Sequence, residues 1–410
     1  MSTLVQNLLP PRLGAGFRWL AASSWSTNLG DGIAAAAGPL LVASLTDGPF
    51  LISMAALLTW APPLLFGLYA GVLSDRYDRR RIVLAANALR LVVLFAMVVG
   101  LSTGRLTVAS ALLGLGLIST AEVFADNTTG TLAPMLVHRD DLGLANTRLQ
   151  AGFITLNQLA GPPIGAALFA AGRVWPFATE VLLVAAGMLL ISRVRLPPHG
   201  RRAAGPGTTT GVRREIAEGF RWVLHHPPVR TLCLTILVFN VTFGAAWSVL
   251  VLYASDRLGL GEIGFGLITT VSAVGGMLGT GAYGWLTARF SLGNLMRTGL
   301  VIEVLVHLTL AATSSPWIAM PIFFVFGGYA FVWGTISTTV RQRAVPEHLQ
   351  GRVNGVNTIC VYGGLVVGSA FGGTLATHYG VAAPFWVAFA GSAVFVAVLW
   401  KSLADIAHGR

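Results

Sequence analysis

Charged residues are scarce in this sequence. Only 10% of its 410 residues are Asp, Glu, Lys or Arg, whereas 54% are hydrophobic. Soluble domains carry about 25% charged residues, and a water-soluble fold of this size could not bury so much apolar surface. The composition therefore argues against a soluble enzyme or binding module and indicates a protein whose solvent is the lipid bilayer.

Other signals are missing as well. The chain has two cysteines, Cys233 and Cys360, both within apolar runs, and neither their spacing nor their context predicts a disulfide or a metal site. No G-x-x-x-x-G-K-[ST] sequence is present, so ATP hydrolysis by this chain is not expected. No covalent enzyme site, cofactor or metal is predicted. Residues 1–13 are too short for a cleavable signal peptide and contain Pro10-Pro11, so the first membrane helix is expected to remain.

Long apolar runs fill the rest of the chain. They are about 20 residues long and do not alternate, which favours helices over the strands of a membrane barrel. We predict an all-α membrane protein with twelve transmembrane helices in two pseudo-symmetric six-helix bundles. The predicted helices cover 17–45, 50–71, 82–101, 106–127, 148–171 and 176–192 in the first half, and 231–254, 263–290, 295–313, 317–340, 352–377 and 382–403 in the second.

A break in composition separates the two halves. Residues 193–211 are rich in Arg, Pro, Gly and Thr and predict a cytoplasmic linker. The following segment, 212–224, carries apolar Ile216, Phe220 and Val223 at helical spacing, which is typical of an amphipathic helix at the membrane surface. The predicted domains are therefore an N-terminal bundle (1–192), the linker with its amphipathic helix (193–230) and a C-terminal bundle (231–410).

The halves also share an internal repeat. Residues 137–146 match 345–354 at a separation of 208 positions, with Val, Gly and Asn coinciding. Further on, Gly161, Gly165 and Leu168 match Gly368, Gly372 and Leu375. Two halves related by an axis along the membrane normal are typical of secondary transporters, whose substrate site lies between the repeats.

The distribution of basic residues indicates an orientation. The net charge is +11, but on the predicted topology only Arg105, Arg173 and Arg257 lie on one side of the membrane. Loops rich in Lys and Arg face the cytoplasm, so both termini are predicted to be cytoplasmic. The basic charge then reflects topology and attraction to anionic membrane lipids, and a nucleic-acid partner is not expected.

A polar segment, 71–81, interrupts two apolar runs with the pattern G-x-L-x-D-R-x-x-R-R. This pattern resembles the loop between helices 2 and 3 of major facilitator superfamily transporters. In the second half, 284–290 keeps the Gly and one Arg, but Ala288 replaces the acid. Residues 29–32, 142–146 and 161–165 resemble the drug-exporter branch that includes macrolide efflux proteins and the enterobactin exporter. Within that stretch, Gly161-Pro162-Pro163 is similar to the antiporter motif of drug/proton exporters, although an ordinary helix kink explains it equally well.

The resemblance implies a role for the 71–81 loop. In the superfamily, the acid and the Arg of this loop join the end of helix 4 and helix 11 and lock the outward-open state. We therefore hypothesise a conformational latch in which Asp75, Arg79 and Asp126 pair, since a few kcal/mol decides between two states. Anchoring to lipid headgroups is the alternative. The candidate latch residues are Gly71, Asp75, Arg76, Arg79, Arg80 and Asp126.

Charges within the predicted helices need a partner or a function, because each costs a few kcal/mol in the bilayer. Asp31 shares one helical face with Ser24 and Asn28, a face expected to look into the central cavity. It is predicted to bind a cation or to carry the driving proton; hydrogen bonding to neighbouring helices is the alternative. Glu122 lies four residues before Asp126, near the cytoplasmic end of helix 4, and is a second candidate for protonation.

The remaining candidates are less specific. Arg90 is expected to pair with Glu122 or to face the interface, and Glu180 is expected near the outer face. Glu303 and His307, four apart, suggest an intrahelical hydrogen bond more than a proton relay. A bulky substrate would need amide and aromatic surface, although Trp and Tyr often form interfacial belts instead. The candidate substrate-binding residues are Asn28, Asn157, Asn240, Trp247, Tyr329, Trp333 and Asn357.

These expectations combine into one predicted function. The chain would be a monomeric secondary active exporter of the bacterial inner membrane, working by proton-coupled antiport and alternating access. Its substrates would be small amphipathic drugs or antibiotics, cationic or neutral. A siderophore or lysophospholipid transporter on the same fold, a nutrient importer and a non-transporting receptor stay open as alternatives.

Overall fold

The computed structural model describes residues 10–196 and 212–405, and within these ranges it contains helices, turns and loops but no β-strand. The first half contains α1 (Gly14–Ala43), α2 (Pro49–Arg76), α3 (Arg79–Ser102), α4 (Val108–Gly130), α5 (Leu142–Gly152), α6 (Gly161–Ala171) and α7 (Trp175–Ser192). The second half contains α8 (Val212–His225), α9 (Pro227–Trp247), α10 (Glu262–Arg289), α11 (Leu292–Ala312), α12 (Pro316–Ala344), α13 (Gln350–Tyr379) and α14 (Ala383–Asp405).

Ten helices of the described residues are long and apolar enough to cross a membrane. They are α2, α3, α4 with its extension to Leu136, α7 and α9 to α14. The other two predicted spans are also helical but fall outside that set: α1 carries polar residues between positions 23 and 31, and a π-helical segment interrupts 142–171. Together these account for the twelve predicted helices, and the all-helical membrane fold is confirmed.

Two predicted boundaries were wrong. The fifth predicted helix begins at Leu142 instead of residue 148, because its first turns are polar and hydropathy marks only the apolar part of a helix. The seventh ends at Trp247 and is followed by a short helix, Leu250–Leu252, and a π-helical segment, Tyr253–Arg257. The amphipathic segment is a helix, α8, as predicted, whereas residues 197–211 of the predicted linker lie outside the described part of the chain.

Contacts divide the chain into two compact units. The first unit comprises residues 1–45 and 65–208, and the second comprises 46–64 and 209–410, so that α2 contributes to both. In the first, α1 packs against α6 and α7, and α3 packs against α4 and α7. In the second, α9 packs against α13, α10 against α12 and α11 against α14. The domain boundaries at residues 192 and 231 remain a prediction.

Residues of the 71–81 loop fix the start of α3 in the first unit. The Asp78 carboxylate accepts a hydrogen bond from the Arg81 backbone N–H at 3.2 Å and so caps the helix. The Arg80 guanidinium donates to the Ser192 carbonyl, the last residue of α7, where a positive charge complements the helix dipole. The basic side chain thus ties the beginning of α3 to the end of α7.

Glycines from the internal repeat lie at a helix crossing in each unit. In the first, a Cβ on Gly161 would lie 2.6 Å from the Gly32 carbonyl carbon, and one on Gly165 would lie 2.9 Å from the Ile33 Cα. In the second, a Cβ on Gly368 would lie 2.9 Å from the Ala245 backbone nitrogen. Only glycine permits backbones to approach this closely, as in other membrane helix pairs. The repeat therefore marks the contacts of α6 with α1 and of α13 with α9.

Candidate functional site

Polar side chains set the register of α1 against α7. The Ser23 hydroxyl donates to the Gly187 carbonyl at 2.7 Å, and the Ser26 hydroxyl donates to the Leu183 carbonyl at 2.8 Å. A Cβ on Gly30 would lie 3.3 Å from the Cγ of Glu180, one turn further along. This antiparallel pairing brings Glu180 to the level of Asp31, the next residue of α1.

Arg90 of α3 lies between the two acids. Its Nη2 forms an ion pair with the Asp31 carboxylate and another with Glu180 Oε1 at 3.2 Å. The three side chains are buried, with 1%, 5% and 1% of Arg90, Asp31 and Glu180 exposed. This arrangement differs from the expected pairing of Arg90 with Glu122, and it places Glu180 inside the first unit. Asp31 is enclosed by this ion pair.

Two further acids of α4 complete the cluster. The carboxylate oxygens of Asp31, Glu122 and Asp126 all lie within 4.8 Å of one another. Glu122 is half-buried and Asp126 is exposed. Both acids therefore lie beside Asp31, which is in the middle of its own predicted helix, although Asp126 itself is next to the end of predicted helix 4. An exposed carboxyl is unfavourable against lipid, so Asp126 indicates a surface in contact with water.

The cluster is short of hydrogen-bond partners. Glu180 Oε2, Arg90 Nε and the Asn87 Oδ1, one turn earlier on α3, are buried and have no partner among the described residues. Buried polar atoms are normally satisfied by protein or ordered water. The spacing of the three carboxylates would also suit a cation, but hard cations such as Ca²⁺ take six or more oxygens, and the neighbouring guanidinium opposes a positive ligand. A proton fits this site better than a metal.

A widened turn lies beside Asp31. Residues Phe153–Ala160 form a π-helical segment immediately before Gly161-Pro162-Pro163. Neither proline has a backbone N–H to donate to the preceding turn, which explains the irregularity. A Cβ on Gly32 would lie 2.8 Å from the Cα of Asn157, so the backbone of this segment packs directly on α1. Asn157, predicted to contact substrate, is half-buried there.

The predicted latch is only partly described. Arg79 donates from Nε to the Ser74 carbonyl at 3.1 Å and from Nη1 to the Met135 sulfur at 2.9 Å. Arg76 is exposed, and space is open around Gly71. The side chain of Asp75 lies outside the described residues. Asp126, the third residue of the predicted latch, lies close to Asp31 and Glu122. Its pairing with Asp75 and Arg79 remains a hypothesis.

Asn28, the last candidate of the first unit, bonds within its own helix. Its amide nitrogen donates to the Ser24 carbonyl at 2.7 Å and to the Ser24 hydroxyl at 3.1 Å. These contacts confirm that the two residues share one face of α1. The side chain is half-buried, and the amide is satisfied within its own helix.

The candidate residues of the second unit do not form one group. Asn240 donates to the Ile236 carbonyl at 2.7 Å, and Asn357 is half-buried on α13. Trp247 stacks on Phe243 with ring centroids 4.4 Å apart. The last two candidates, both on α12, lie near α11: the Tyr329 ring lies 3.6 Å and the Trp333 ring 3.0 Å from the Cβ position of Gly299.

Sequence reasoning missed two pairings. It assigned Glu180 no specific partner, although an acid inside an apolar helix signals the need for a cation such as Arg90. It also treated Cys233 and Cys360 as unrelated, whereas both are buried in the same hydrophobic cluster, on α9 and α13. No spacing rule could have brought together two residues 127 positions apart.

These features define a multi-pass membrane protein of the transporter type, with a charged cluster inside its first unit. The sequence profile of the MFS_3 family, described as "Transmembrane secretion effector", matches residues 8–407. The chain belongs to this family, and the resemblance to the major facilitator superfamily is confirmed.

Characterised relatives align over most of their length. The multidrug efflux pump Tap of Mycolicibacterium fortuitum is 29% identical over 377 residues, which cover 88% of this chain and 89% of Tap. The enterobactin exporter EntS of Escherichia coli O1:K1 is 26% identical over 385 residues, which cover 90% of this chain and 87% of EntS. Both relatives are exporters by name.

Solved structures share the fold. A bacterial homologue of the iron transporter ferroportin, in an inward-facing state, superposes with a TM-score of 0.76 at 17% identity, covering 95% of this chain and 98% of its own. The nucleoside transporter NupG superposes with a TM-score of 0.75 at 13% identity, covering 94% and 99%. At these identities the likeness concerns architecture and not substrate.

Proposed function

We propose that this protein is a proton-coupled antiporter that exports small amphipathic compounds, drugs or antibiotics among them, by alternating access. It would reside in the bacterial inner membrane as a monomer with both termini in the cytoplasm. Membership of a family of membrane exporters supports the transport step. The coupling to protons is our inference from the charged cluster of the first unit.

One observation carries this inference: among the described residues of the charged cluster, four acids surround a single base. Carboxylate oxygens of Asp31, Glu122 and Asp126, one from each residue, lie within 4.8 Å of one another, and Arg90 also forms an ion pair with Glu180. One guanidinium cannot neutralise four carboxylates. Like charges this close in a medium of low dielectric cannot all ionise, so at least one carboxyl retains a proton in the resting state.

Such a surplus acid is suited to exchange. When a cationic or polar substrate group approaches the cluster, the carboxyl can release its proton to water and keep its negative charge next to the substrate. When the substrate leaves, a proton taken from the other side restores the neutral acid. Asp31 is tested first because it belongs both to the Arg90 ion pair and to the triad of acids, so its charge affects the protonation of every other acid in the cluster; Glu122 and Asp126 are the alternatives.

The experiment is dye efflux from everted membrane vesicles across a panel that includes ethidium and tetraphenylphosphonium. We expect transport by the wild type to collapse when the proton gradient is dissipated. Asp31→Asn keeps the size of the side chain but cannot ionise, so it should lose at least tenfold in gradient-driven flux. The exposed Asp47 supplies a matched control, since Asp47→Asn makes the same chemical change outside the cluster and should transport normally.

Two results would count against the proposal. Flux that persists without a gradient and is unchanged in Asp31→Asn would remove proton coupling at this site. Flux in neither wild type nor variants, across the whole panel, would remove the amphipathic drugs as substrates.

A siderophore exporter is the second candidate function, favoured by the 26% identity to EntS over 90% of the chain. Iron-free catecholate siderophores are neutral or anionic, whereas the surplus acids of the first unit favour a neutral or cationic compound. Export of the siderophore by cells that express the protein, without export of cationic dyes, would select this alternative.

A further inference from the structure

The second unit contains a buried acid that the proposed mechanism does not use. Glu303 of α11 is 8% exposed. No ion pair of Glu303 is found among the described residues, and Tyr329 of α12 lies beside α11 one turn earlier, with its ring 3.6 Å from the Cβ position of Gly299. This differs from the first unit, where Arg90 compensates the buried acids. An uncompensated carboxylate inside the bilayer is strongly unfavourable, so Glu303 must hold a proton or receive a cation.

The neighbouring elements offer no positive charge to it. On its own helix, His307 is fully buried, and its Nδ1 donates to the Glu303 carbonyl at 3.0 Å, which leaves Nε2 without a partner among the described residues. Arg297 of the same helix lies over the ring of Trp400 at 5.1 Å.

The helices packed against α11 carry their charged residues near their ends. On α12, Tyr329 is the titratable group that faces Glu303, and Arg341 and Arg343 belong to the last turn of that helix. On α14, the titratable residues Lys401 and Asp405 belong to the last five positions, and the preceding residues are all uncharged. On α10, the titratable residues are Glu262, Tyr283 and Arg289, at the start and in the last two turns.

An aromatic surface lies next to this acid. We call Phe243, Trp247 and Phe326 the aromatic plate. Phe243 stacks on Phe326 at 5.6 Å with an interplanar angle of 9°, and the Trp247 and Phe326 rings are 4.5 Å apart. All three side chains are half-buried, so each keeps an accessible part.

Two side chains connect the plate to the turn that carries Glu303. Tyr329 meets Phe326 edge-on at 5.6 Å and lies next to Glu303. His307 meets Trp247 edge-on at 6.3 Å. An occupant of the plate would therefore lie one aromatic ring away from the carboxyl. Aromatic faces attract cations, and more strongly where water is excluded.

We propose that Glu303 and the aromatic plate form a second proton-exchange site, specific for aromatic organic cations. Resting Glu303 is a neutral acid that accepts the Tyr329 hydrogen bond on its carbonyl oxygen. When an aromatic cation occupies the plate, the O–H bond of Glu303 breaks, the proton passes to water, and the carboxylate balances the new positive charge. Release of the cation reverses the step. The substrate class in this inference rests on the proposed exporter function. The group that loses its proton is a separate one, Glu303 of the second unit.

Infrared difference spectroscopy tests it directly. The purified full-length protein, reconstituted in liposomes, is perfused with tetraphenylphosphonium at constant pH. We expect wild type to lose a protonated-carboxyl band and gain carboxylate bands. Glu303→Gln should abolish the part of this change that persists in Asp31→Asn, and Tyr329→Phe should move that part of the lost band to higher frequency because the acid loses its hydrogen bond. The exposed Glu347 provides the control, since Glu347→Gln should leave the spectrum unchanged.

The outcomes separate this site from the Asp31 cluster. Retention of the band change in Asp31→Asn supports an independent site, even if that variant no longer transports. A band change that is the same in Glu303→Gln as in wild type, or absent from wild type, overturns the proposal. If Glu303→Gln fails to fold, Tyr329→Phe decides: an unshifted band removes Glu303 as the group that loses its proton.

Discussion

Replacing Arg90 with leucine is expected to destabilise the protein by about 3–5 kcal/mol, the cost of breaking a buried ion pair and leaving a charge uncompensated. The substitution would leave both Asp31 and Glu180 without their cation in a site that is at most 5% exposed. Retention of folded protein after heating in detergent, followed by size-exclusion chromatography, measures the loss.

The same cluster provides a rescue. Adding Asp31→Asn and Glu180→Gln to Arg90→Leu removes both stranded charges, and replacement of a complete buried ion pair by neutral groups is often tolerated. We expect the triple variant to recover most of the lost stability while remaining inactive in transport. Arg105→Leu serves as the control, because the exposed Arg105 lies in a loop and its loss should change stability by less than about 0.5 kcal/mol. A triple variant as unstable as Arg90→Leu would show that charge compensation is not what Arg90 provides.

Two glycines five positions apart on α13 should respond oppositely to the same substitution. Alanine is the better helix former by about 1 kcal/mol. At Gly363 the new methyl group would meet only the Ile359 side chain at 4.0 Å, so Gly363→Ala should be neutral or stabilising. At Gly368 it would lie 2.9 Å from the Ala245 nitrogen and 3.0 Å from the Gly244 Cα, and backbone atoms cannot move aside as a flexible side chain can.

Gly368→Ala is therefore expected to separate α9 from α13 and to cost about 1–3 kcal/mol or more, the range for overpacked sites. Thermal unfolding of the two variants in parallel measures the difference in stability between them. Both make the same Gly-to-Ala change in one helix, so the gain in helix propensity cancels in the comparison. Equal stability of the two proteins would mean that the helices do not cross as closely as the structure shows.

The sequence was sufficient to predict the helices because each is marked by an apolar run, and hydropathy alone places most of their ends. The predicted ends were wrong where a helix extends beyond its apolar part, as at Leu142, and where a π-helical segment replaces the α-helix, as at Tyr253. Such irregularities depend on hydrogen bonding within the packed structure and have no periodic signature.

The candidate site could be predicted only as a set of unusual residues. Asp31, Glu122 and Asp126 stood out because charges are expensive in lipid, and the structure brings these three together. Their arrangement around Arg90 could not be predicted, because partners on different helices are set by the rotation and depth of each helix. Ser23 and Ser26 fix that depth for α1, and in the sequence they read only as small polar residues.

The matching glycines at the two helix crossings bear on the ancestry of the chain. Gly161 and Gly165 occupy in one unit the place that Gly368 and Gly372 occupy in the other, whereas the acid of the 71–81 loop has become Ala288 in the second copy. A gene duplication followed by unequal drift accounts for both facts. Backbone contact leaves no room for a side chain at these glycines, whereas Ala288 is exposed and its position tolerates replacement, so the steric constraint preserved the one trace of the duplication and not the other.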